Sequence, residues 1–191
     1  MRVLISGASG LVGTELRKQF AALGHETVAL GRGEKLTGEQ MSTFDAVVNL
    51  AGATTGKIPW TKKYKEELIW SRVRATELLV QAMDEVKAKP TVFVSGSASG
   101  IYGDTGDILL TEDAPKGTGF LSDLAFAWEQ AALTAPKSVR VVLARTTMVM
   151  SRKKGALGRL MPLLKLGVAG PLGSGKQWWA WISLQDEAAA I

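Results

Sequence analysis

Short apolar runs alternate along this chain with longer amphipathic segments, and no other feature constrains the fold as strongly. The apolar runs predict five strands, over residues 2–6, 27–30, 46–50, 91–95 and 139–144. Helical patterns occupy residues 11–23, a long stretch that starts behind an N-cap at Thr61, and residues 121–135. Strands that are almost wholly apolar and alternate with helices form a parallel sheet covered on both faces. The sequence therefore predicts an α/β protein with a doubly wound parallel sheet.

The segment after residue 150 has a different pattern. It predicts a helix over 155–166, a glycine-rich loop over 167–175, a sixth strand over 178–182 and a helix that begins at Leu184 behind an N-cap at Ser183. That last helix has hardly begun at Ile191, and isolated helices shorter than about 12–15 residues are marginal in water. We therefore expect one domain over 1–150 and the start of a second region over 151–191, in a truncated chain.

Composition excludes several kinds of site. The 191 residues include no cysteine and one histidine, His25, which argues against disulfides, thiolate zinc sites, histidine metal clusters and most Ser-His-Asp triads. We predict no metal. No apolar run approaches the roughly 20 residues of a membrane span, and no signal-peptide pattern follows Met1, so we expect a cytoplasmic protein without a membrane partner. The net charge of +5 permits anionic ligands such as nucleotides.

A glycine motif, Gly7-Ala-Ser-Gly-Leu-Val-Gly13, lies between the first predicted strand and the first predicted helix. Glycines in such a turn let backbone N–H groups approach a pyrophosphate, and the third one packs the helix against the strand. The GxxGxxG spacing is looser than GxGxxG and would be a weak signal alone. Its position between a predicted strand and a predicted helix strengthens the assignment. The alternative is a turn needed only for packing. The motif predicts a dinucleotide site that includes Gly7, Ser9, Gly10, Leu11, Val12 and Gly13.

The residues after the second predicted strand indicate which dinucleotide binds. An acid there would accept a hydrogen bond from the ribose 2′-hydroxyl of NAD. The run Gly31-Arg32 holds no acid before Glu34. Arg32 is expected to pair with the 2′-phosphate of NADP, in a charged hydrogen bond worth about 1.5–3 kcal/mol; a solvated arginine is the alternative. At the end of the third strand, Gly52 lets a ligand approach the backbone where ligands bind in such sheets.

Several sequence blocks together resemble the extended short-chain dehydrogenase/reductases, and the resemblance narrows to their atypical "epimerase family" branch. The blocks are GASGLVG at 7–13, NLAG at 49–52, SRVRAT at 71–76, SASGIYG at 97–103, GFL at 119–121, WE at 128–129, RT at 145–146 and GPLGSGKQW at 170–178. The resemblance runs from residue 1 to 191. It implies a Rossmann core that binds NADP, followed by a small C-terminal substrate region that continues past residue 191 in relatives and is incomplete here.

The resemblance also implies cofactor contacts beyond the glycine motif. It assigns them to Gly31, Arg32, Leu50, Ala51, Glu67 and Arg72. Glu67 and Arg72 are five residues apart on one predicted helix, so they do not share one face well. A solvated charged face is the alternative for this pair.

Typical relatives use a tyrosine and a lysine four residues later on one helix, helped by a serine. The lysine lowers the tyrosine pKa, and the tyrosine moves the proton that accompanies hydride transfer. Ala125 and Glu129 stand at these two positions here, so the usual pair is absent. The candidate catalytic residues are Ser97 near the usual serine position, Tyr102 as a proton donor, and Glu129 as a base if burial raises its pKa. A packed turn tyrosine and a structural ion pair are the alternatives.

The glycine-rich loop would lie over the substrate pocket in an extended family member. Lys176 and Gln177 are therefore predicted to hold a polar or anionic substrate. Relatives commonly carry a histidine where Ser183 stands, a departure that bears on the substrate site. Three tryptophans in this region are expected in core or interface packing, or as a substrate platform: Trp178, Trp179 and Trp181.

Two functions remain open from the sequence. The first is an NADP-binding oxidoreductase or epimerase-like protein that acts on an unidentified small molecule and transfers hydride at C4 of the nicotinamide. The second is a catalytically idle NADP-binding sensor or partner-binding protein, which the missing Tyr/Lys pair favours. A third possibility, nucleic-acid binding, is suggested only by basic residues that are scattered along the sequence, and no known motif supports it. We therefore expect no nucleic-acid partner.

Overall fold

The structure is a computed structural model that describes residues 1–152, 154–168, 170 and 173–191. The strands are β1 (Arg2–Ser6), β2 (Glu26–Leu30), β3 (Ala46–Asn49), β4 (Val92–Ala98), β5 (Arg140–Thr146), β6 (Met148–Met150) and β7 (Trp181–Ser183). The helices are α1 (Leu11–Ala22), α2 (Gly38–Met41), α3 (Lys62–Asp84), α4 (Phe120–Leu133), α5 (Gly155–Lys165) and α6 (Leu184–Ala190), with a 3₁₀ turn at Ser99–Tyr102. Among the helices in these ranges, none is both long and apolar enough to cross a membrane.

The five predicted strands form one parallel sheet in the order β2-β1-β3-β4-β5. This confirms the predicted α/β fold with a Rossmann-like sheet. In register, Ser6 at the end of β1 lies beside Leu30 and Asn49, the last residues of β2 and β3. The strand order reverses at β1, and a crevice forms where the connections diverge from such a reversal. The carboxyl ends of β1, β2 and β3 therefore frame the natural ligand site of this sheet.

Helices cover the sheet on both faces because successive strand residues point to opposite sides. On one face, Leu4 of β1 packs in a cluster with Met83 of α3 and Ala132 of α4. On the other, Ile5 packs with Leu16 of α1 and Ala188 of α6. Among the described residues, β1, β3, β4 and β5 contribute apolar side chains to both cores, whereas β2 contributes Val28 and Leu30 to the first.

Helix ends follow the signals in the sequence. Thr61 Oγ1 accepts a hydrogen bond from the N–H of Tyr64 at 3.2 Å, so the predicted cap of α3 is confirmed. Ser183 Oγ accepts from the N–H of Asp186 at 3.1 Å and caps α6, also as predicted. These hydroxyls satisfy N–H groups that have no partner inside the helix.

A strand does form in the region predicted as the sixth strand, but its bounds differ from the predicted 178–182. β7 begins only at Trp181, and it pairs in parallel with β6 in a separate two-stranded sheet. β6 and α2 were not predicted, because three or four residues are too few to show a period of 2 or 3.6. The cap of α2 is nevertheless visible in hindsight: Thr37 and Gln40 form a reciprocal capping box.

The last helix packs on the main core. Ala188 is buried beside α1, and Gln19 Nε2 of α1 donates to the carbonyl of Gln185 at 3.1 Å. Thr146 Oγ1 at the end of β5 donates to Glu187 Oε1 at 2.6 Å. α6 therefore contributes to the fold that holds the sheet, while the division into domains at residue 150 stays a prediction.

Candidate functional site

A cavity of about 640 Å³ opens at the carboxyl ends of β1, β2 and β3. Its walls come from the glycine turn after β1, the turn after β2, the loop after β3 and one face of α3. The predicted cofactor residues that line it are Gly7, Ser9, Gly10, Gly31, Arg32, Leu50, Ala51, Gly52 and Glu67. Small-molecule and cofactor sites usually measure about 300–1,000 Å³, so the space suits such a ligand.

Two glycines make the first turn possible. Gly7 has a φ of +79°, and a Cβ there would lie 2.6 Å from the carbonyl carbon of Leu50. Gly13 lies buried in α1, where a Cβ would come within 2.4 Å of the Gly7 oxygen. Gly13 therefore lets the helix pack against the turn from below, as predicted for the third glycine, and it lies outside the cavity wall.

The N-terminus of α1 is open. Gly10 is its N-cap residue, the first turn has no side-chain cap within the described residues, and it carries no acid. The first N–H groups of a helix lack an intrahelical partner and lie at the positive end of the helix dipole. Leu11 and Val12 do not line the cavity, so their predicted contribution to a cofactor site would come from their backbone N–H groups. This arrangement is the usual anion site of a strand–turn–helix unit.

The turn after β2 brings two opposite charges to the cavity wall. Arg32 is exposed and lines the cavity. Glu34 lines it as well, because a turn closed by its N–H on the carbonyl of Gly31, at 3.3 Å, folds the chain back. Glu34 Oε2 then accepts the Gly31 N–H at 2.7 Å. Sequence reasoning placed this acid too far from β2, although Gly31 and Gly33 on either side of Arg32 signal such a turn.

Two adjacent residues of α3, Ser71 and Arg72, form hydrogen bonds with the loop after β3. Ser71 Oγ accepts the N–H of Ala53 at 2.9 Å, and Arg72 Nη2 donates to the Ala53 carbonyl at 3.0 Å. Arg72 Nη1 donates to the carbonyl of Leu68 at 2.9 Å, and a Cβ on Gly52 would lie 2.9 Å from Arg72 Cζ. Burial lowers the pKa of the Arg72 guanidinium from its ordinary value.

Arg72 was predicted to contact the cofactor, and the structure places it outside the cavity wall. Five residues at 100° per residue put Arg72 about 140° around the helix from Glu67, which does line the cavity. The Arg72 guanidinium is instead engaged with backbone carbonyls and lies over the Trp128 ring, 5.2 Å from its centroid. Arg72 therefore shapes the loop that forms the cavity wall.

One stripe of α3 faces the cavity, and of its members only Glu67 was predicted as a site residue. The stripe starts at Glu67 and repeats at spacings of three and four, through Trp70, Ser71, Arg74, Ala75 and Leu78. Trp70 is 62% exposed although it is a large aromatic residue. Arg74 forms an exposed ion pair with Glu77 at 3.3 Å. The helical spacing from Glu67 is the signal that identifies both residues.

Ser97, Tyr102 and Glu129, the predicted catalytic residues, meet in one cluster. Ser97 Oγ donates to Glu129 Oε1 at 2.5 Å, and Arg145 Nε donates to the same oxygen at 2.8 Å. Arg145 Nη1 donates to the Tyr102 hydroxyl oxygen at 2.7 Å and to the carbonyl of Glu112 at 2.7 Å. Arg145 connects the members of this cluster, although it was not predicted as a site residue. None of the four residues lines the cavity.

The environment of Glu129 does not match that of a base with a raised pKa. Burial alone would raise the pKa of this carboxyl group, but hydrogen bonds from Arg145 and Ser97 and the charge of Arg145 outweigh it, so the pKa is lowered. The hydrogen bonds to Glu129 in turn raise the pKa of Arg145. Glu129 was predicted to act as a base only if burial raised its pKa, and its pKa is instead lowered. Its contacts with Arg145 are those of an ion pair.

The described residues 173–180 of the C-terminal loop do not line the cavity. Lys176 and Gln177 are exposed and lie outside the cavity wall. The neighbouring Trp178 Nε1 donates to Asp107 Oδ1 at 2.6 Å. The prediction that the three tryptophans of this region pack in the core is wrong, because they lie on a loop and on β7, outside the main sheet. Trp178, Trp179 and Trp181 are 79%, 42% and 64% exposed.

Comparison with known proteins gives a consistent result. A model of the NAD dependent epimerase/dehydratase family matches residues 3–191. An epimerase family protein of Mycobacterium leprae is 36% identical over 99% of this chain and 66% of its own length. The human epimerase family protein SDR39U1 is 33% identical over 100% of this chain and 69% of its own length. The chain thus spans about two thirds of the length of the curated relatives it matches.

Solved structures agree with the sequence relatives. The crystal structure of human SDR39U1 isoform 2 with NADPH superposes with a TM-score of 0.90 at 32% identity, over 98% of this chain and 68% of that one. A nucleoside-diphosphate sugar epimerase from Corynebacterium glutamicum gives a TM-score of 0.85 at 32% identity, over 100% of this chain and 42% of that one. The chain therefore belongs to the NAD dependent epimerase/dehydratase family.

Proposed function

We propose that this chain binds NADP(H) in the cavity beside β1 and acts as an oxidoreductase or epimerase-like protein on a small molecule. One observation carries the proposal: the uncapped N-terminus of α1 opens onto a cavity whose wall also presents Arg32. The human relative with NADPH, at 32% identity, supports the same choice of nucleotide.

The residues of the cavity fit such a nucleotide. The turn at Gly7 admits no Cβ, and the N–H groups after Gly10 would bind the pyrophosphate. Arg32 would pair with the 2′-phosphate. The apolar wall formed by Leu50 and Ala75 suits an adenine ring. When bound, the cofactor supplies hydride chemistry at C4 of the nicotinamide.

Tyr102 is our candidate for holding and donating the proton in this reaction. Its hydroxyl oxygen accepts a hydrogen bond from Arg145, so its own proton is free to be donated elsewhere. Ser97 and Glu129 act on Tyr102 through Arg145 as positioning residues. Lys176 and Gln177 remain our candidates for holding the substrate.

The cavity assignment is tested by replacing Gly10. Its backbone φ of −69° and ψ of 175° suit an aspartate N-cap, whose carboxylate would take the anion position in Gly10→Asp. The matched variant Gly10→Ala adds the same Cβ without charge. A Cβ there would lie 3.1 Å from the Gly7 oxygen, so the turn must shift by a few tenths of an ångström in either variant, and circular dichroism verifies that both fold. NADPH at 100 times its Kd should add about 2.7 kcal/mol to the free energy of unfolding. For a chain of this size that raises the Tm by roughly 5–10 °C.

We expect the shift in the parent protein, a smaller one in Gly10→Ala and none in Gly10→Asp. A shift that persists unchanged in Gly10→Asp would place the nucleotide elsewhere. The absence of any shift in the parent protein would remove the proposal.

A second candidate, a nucleotide-binding protein without turnover, is favoured by the contacts of Glu129. This residue stands where typical relatives carry the catalytic lysine, and it is bound by Arg145. NADPH oxidation with a panel of carbonyl compounds separates the two candidates. Turnover that disappears in Tyr102→Phe supports the enzyme; tight binding with no turnover across the panel supports the idle protein.

A further inference from the structure

The turn after β2 holds a carboxylate at a position that matters for the choice between NADP(H) and NAD(H). We infer that Glu34 is a specificity-determining residue that offers an acceptor to the ribose 2′-hydroxyl of NAD(H), beside the cation that suits NADP(H). The inference rests on the proposed function, because it concerns the same cavity. It predicts that this chain accepts both nucleotides instead of excluding the unphosphorylated one.

The geometry of Glu34 supports this role. Its Oε2 accepts the Gly31 N–H at 2.7 Å, directly after the last residue of β2. A Cβ at Gly31 would lie 2.8 Å from Glu34 Cδ and 2.9 Å from Oε1, so the carboxylate lies against the Gly31 backbone. The lack of a side chain at Gly31 is what leaves room for it. Both residues line the cavity.

The chemistry distinguishes the two nucleotides. An ionised carboxylate has about four acceptor positions, so the bond to Gly31 leaves others for a ribose hydroxyl, which can donate. A 2′-phosphate can only accept and carries negative charge, so it is repelled by Glu34. It also competes with Glu34 for the Gly31 N–H. Arg32 acts in the opposite direction, because it attracts the phosphate.

Dissociation constants for NADPH and NADH, measured by fluorescence titration, test the inference. The variants are Glu34→Ala, Glu34→Gln and Arg32→Ala, with Glu39→Gln as a control that removes an exposed carboxylate outside the cavity wall. All these positions are exposed, so each variant should fold; circular dichroism verifies this.

We expect the parent protein to bind both nucleotides. Glu34→Ala should weaken NADH and strengthen NADPH, so that the ratio of the two constants shifts about tenfold or more towards NADPH. Glu34→Gln should shift it the same way by a smaller factor, Arg32→Ala should shift it towards NADH, and Glu39→Gln should leave it unchanged. If both nucleotides bind and Glu34→Ala leaves the ratio within threefold, roughly 0.65 kcal/mol, the inference falls and the proposed function stands. If neither nucleotide binds, both fall.

Discussion

Arg145 holds both carboxylate oxygens of Glu129, with Nε 2.8 Å from Oε1 and Nη2 3.0 Å from Oε2. This two-point pair joins the end of β5 to α4. The third nitrogen of the same guanidinium group, Arg145 Nη1, donates to the hydroxyl oxygen of Tyr102 in the 3₁₀ turn. The side chain of Glu129 is 4% exposed and that of Arg145 is 25% exposed. A helix, a strand and a turn are therefore fixed relative to one another by one guanidinium group.

Glu129→Gln should destabilise the protein because it leaves a partly buried guanidinium without its counter-charge. Removing one partner of a fully buried pair costs about 3–5 kcal/mol, and the partial exposure of Arg145 reduces this, so we expect about 1–3 kcal/mol. Glu77→Gln, which breaks the exposed pair with Arg74, is the matched control and should cost under about 1 kcal/mol. Urea unfolding measures both. Equal costs would show that the Arg145–Glu129 pair carries no special weight.

The same pair makes stability depend on pH. The pKa of Glu129 is lower in the folded protein than its ordinary value of 4.5, so the folded state binds this proton more weakly than the unfolded state does. The contribution is therefore complete above that ordinary value and is lost as pH falls through the folded pKa. The difference in free energy of unfolding between the parent protein and Glu129→Gln should shrink on acidification. A difference that is constant between neutral and acid pH would contradict the lowered pKa.

Trp70 should report the arrival of the nucleotide. It stands in the cavity wall on the same stripe of α3 as Glu67, and its ring is exposed to whatever fills the space. NADPH should quench part of the protein fluorescence, and Trp70→Phe should remove most of that quenching although five tryptophans remain. Trp178→Phe is the control, because Trp178 is 79% exposed and outside the wall. Equal loss of quenching in both variants would place the nucleotide away from α3.

How far the sequence predicts the cavity depends on whether the signal is local. The glycine motif correctly predicted a tight turn and close helix packing because no Cβ fits at Gly7 or Gly13, while its role in binding a dinucleotide stays a prediction. Glu34 was passed over because its return to β2 depends on the conformation of a turn. The contact of Arg72 with the loop at Ala53 was not foreseen because the two residues are 19 apart in the sequence.

The same distinction explains the fold. The five strands of the sheet were predictable because each contains a short apolar run. β6 was not, and β7 was predicted only with other bounds, since a three-residue strand is defined by its partner and not by its own pattern. The ion pair of Glu129 with Arg145 joins residues 16 apart that no periodicity relates.

Thr76 of α3 connects β3 and the loop after it to α4. Its hydroxyl oxygen accepts from Asn49 Nδ2 at 2.8 Å and from Trp128 Nε1 at 3.1 Å, and Asn49 Oδ1 in turn accepts the N–H of Ala51 in the cavity wall at 3.3 Å. Thr76 is completely buried, so Thr76→Val keeps the shape and leaves two buried donors unsatisfied.

Each unsatisfied buried donor costs about 1–3 kcal/mol, so Thr76→Val should lower the free energy of unfolding by at least about 2 kcal/mol. Thr76→Ser keeps the hydroxyl and loses only a methyl group, so it should cost clearly less. Because Asn49 then loses its anchor beside Ala51, Thr76→Val should also weaken NADPH binding, while Thr76→Ser should retain it. Urea unfolding and nucleotide titration of both variants provide the comparison. A valine variant as stable as the serine variant would show that the donors of Asn49 and Trp128 find other partners, and that Thr76 does not hold the cavity loop in place.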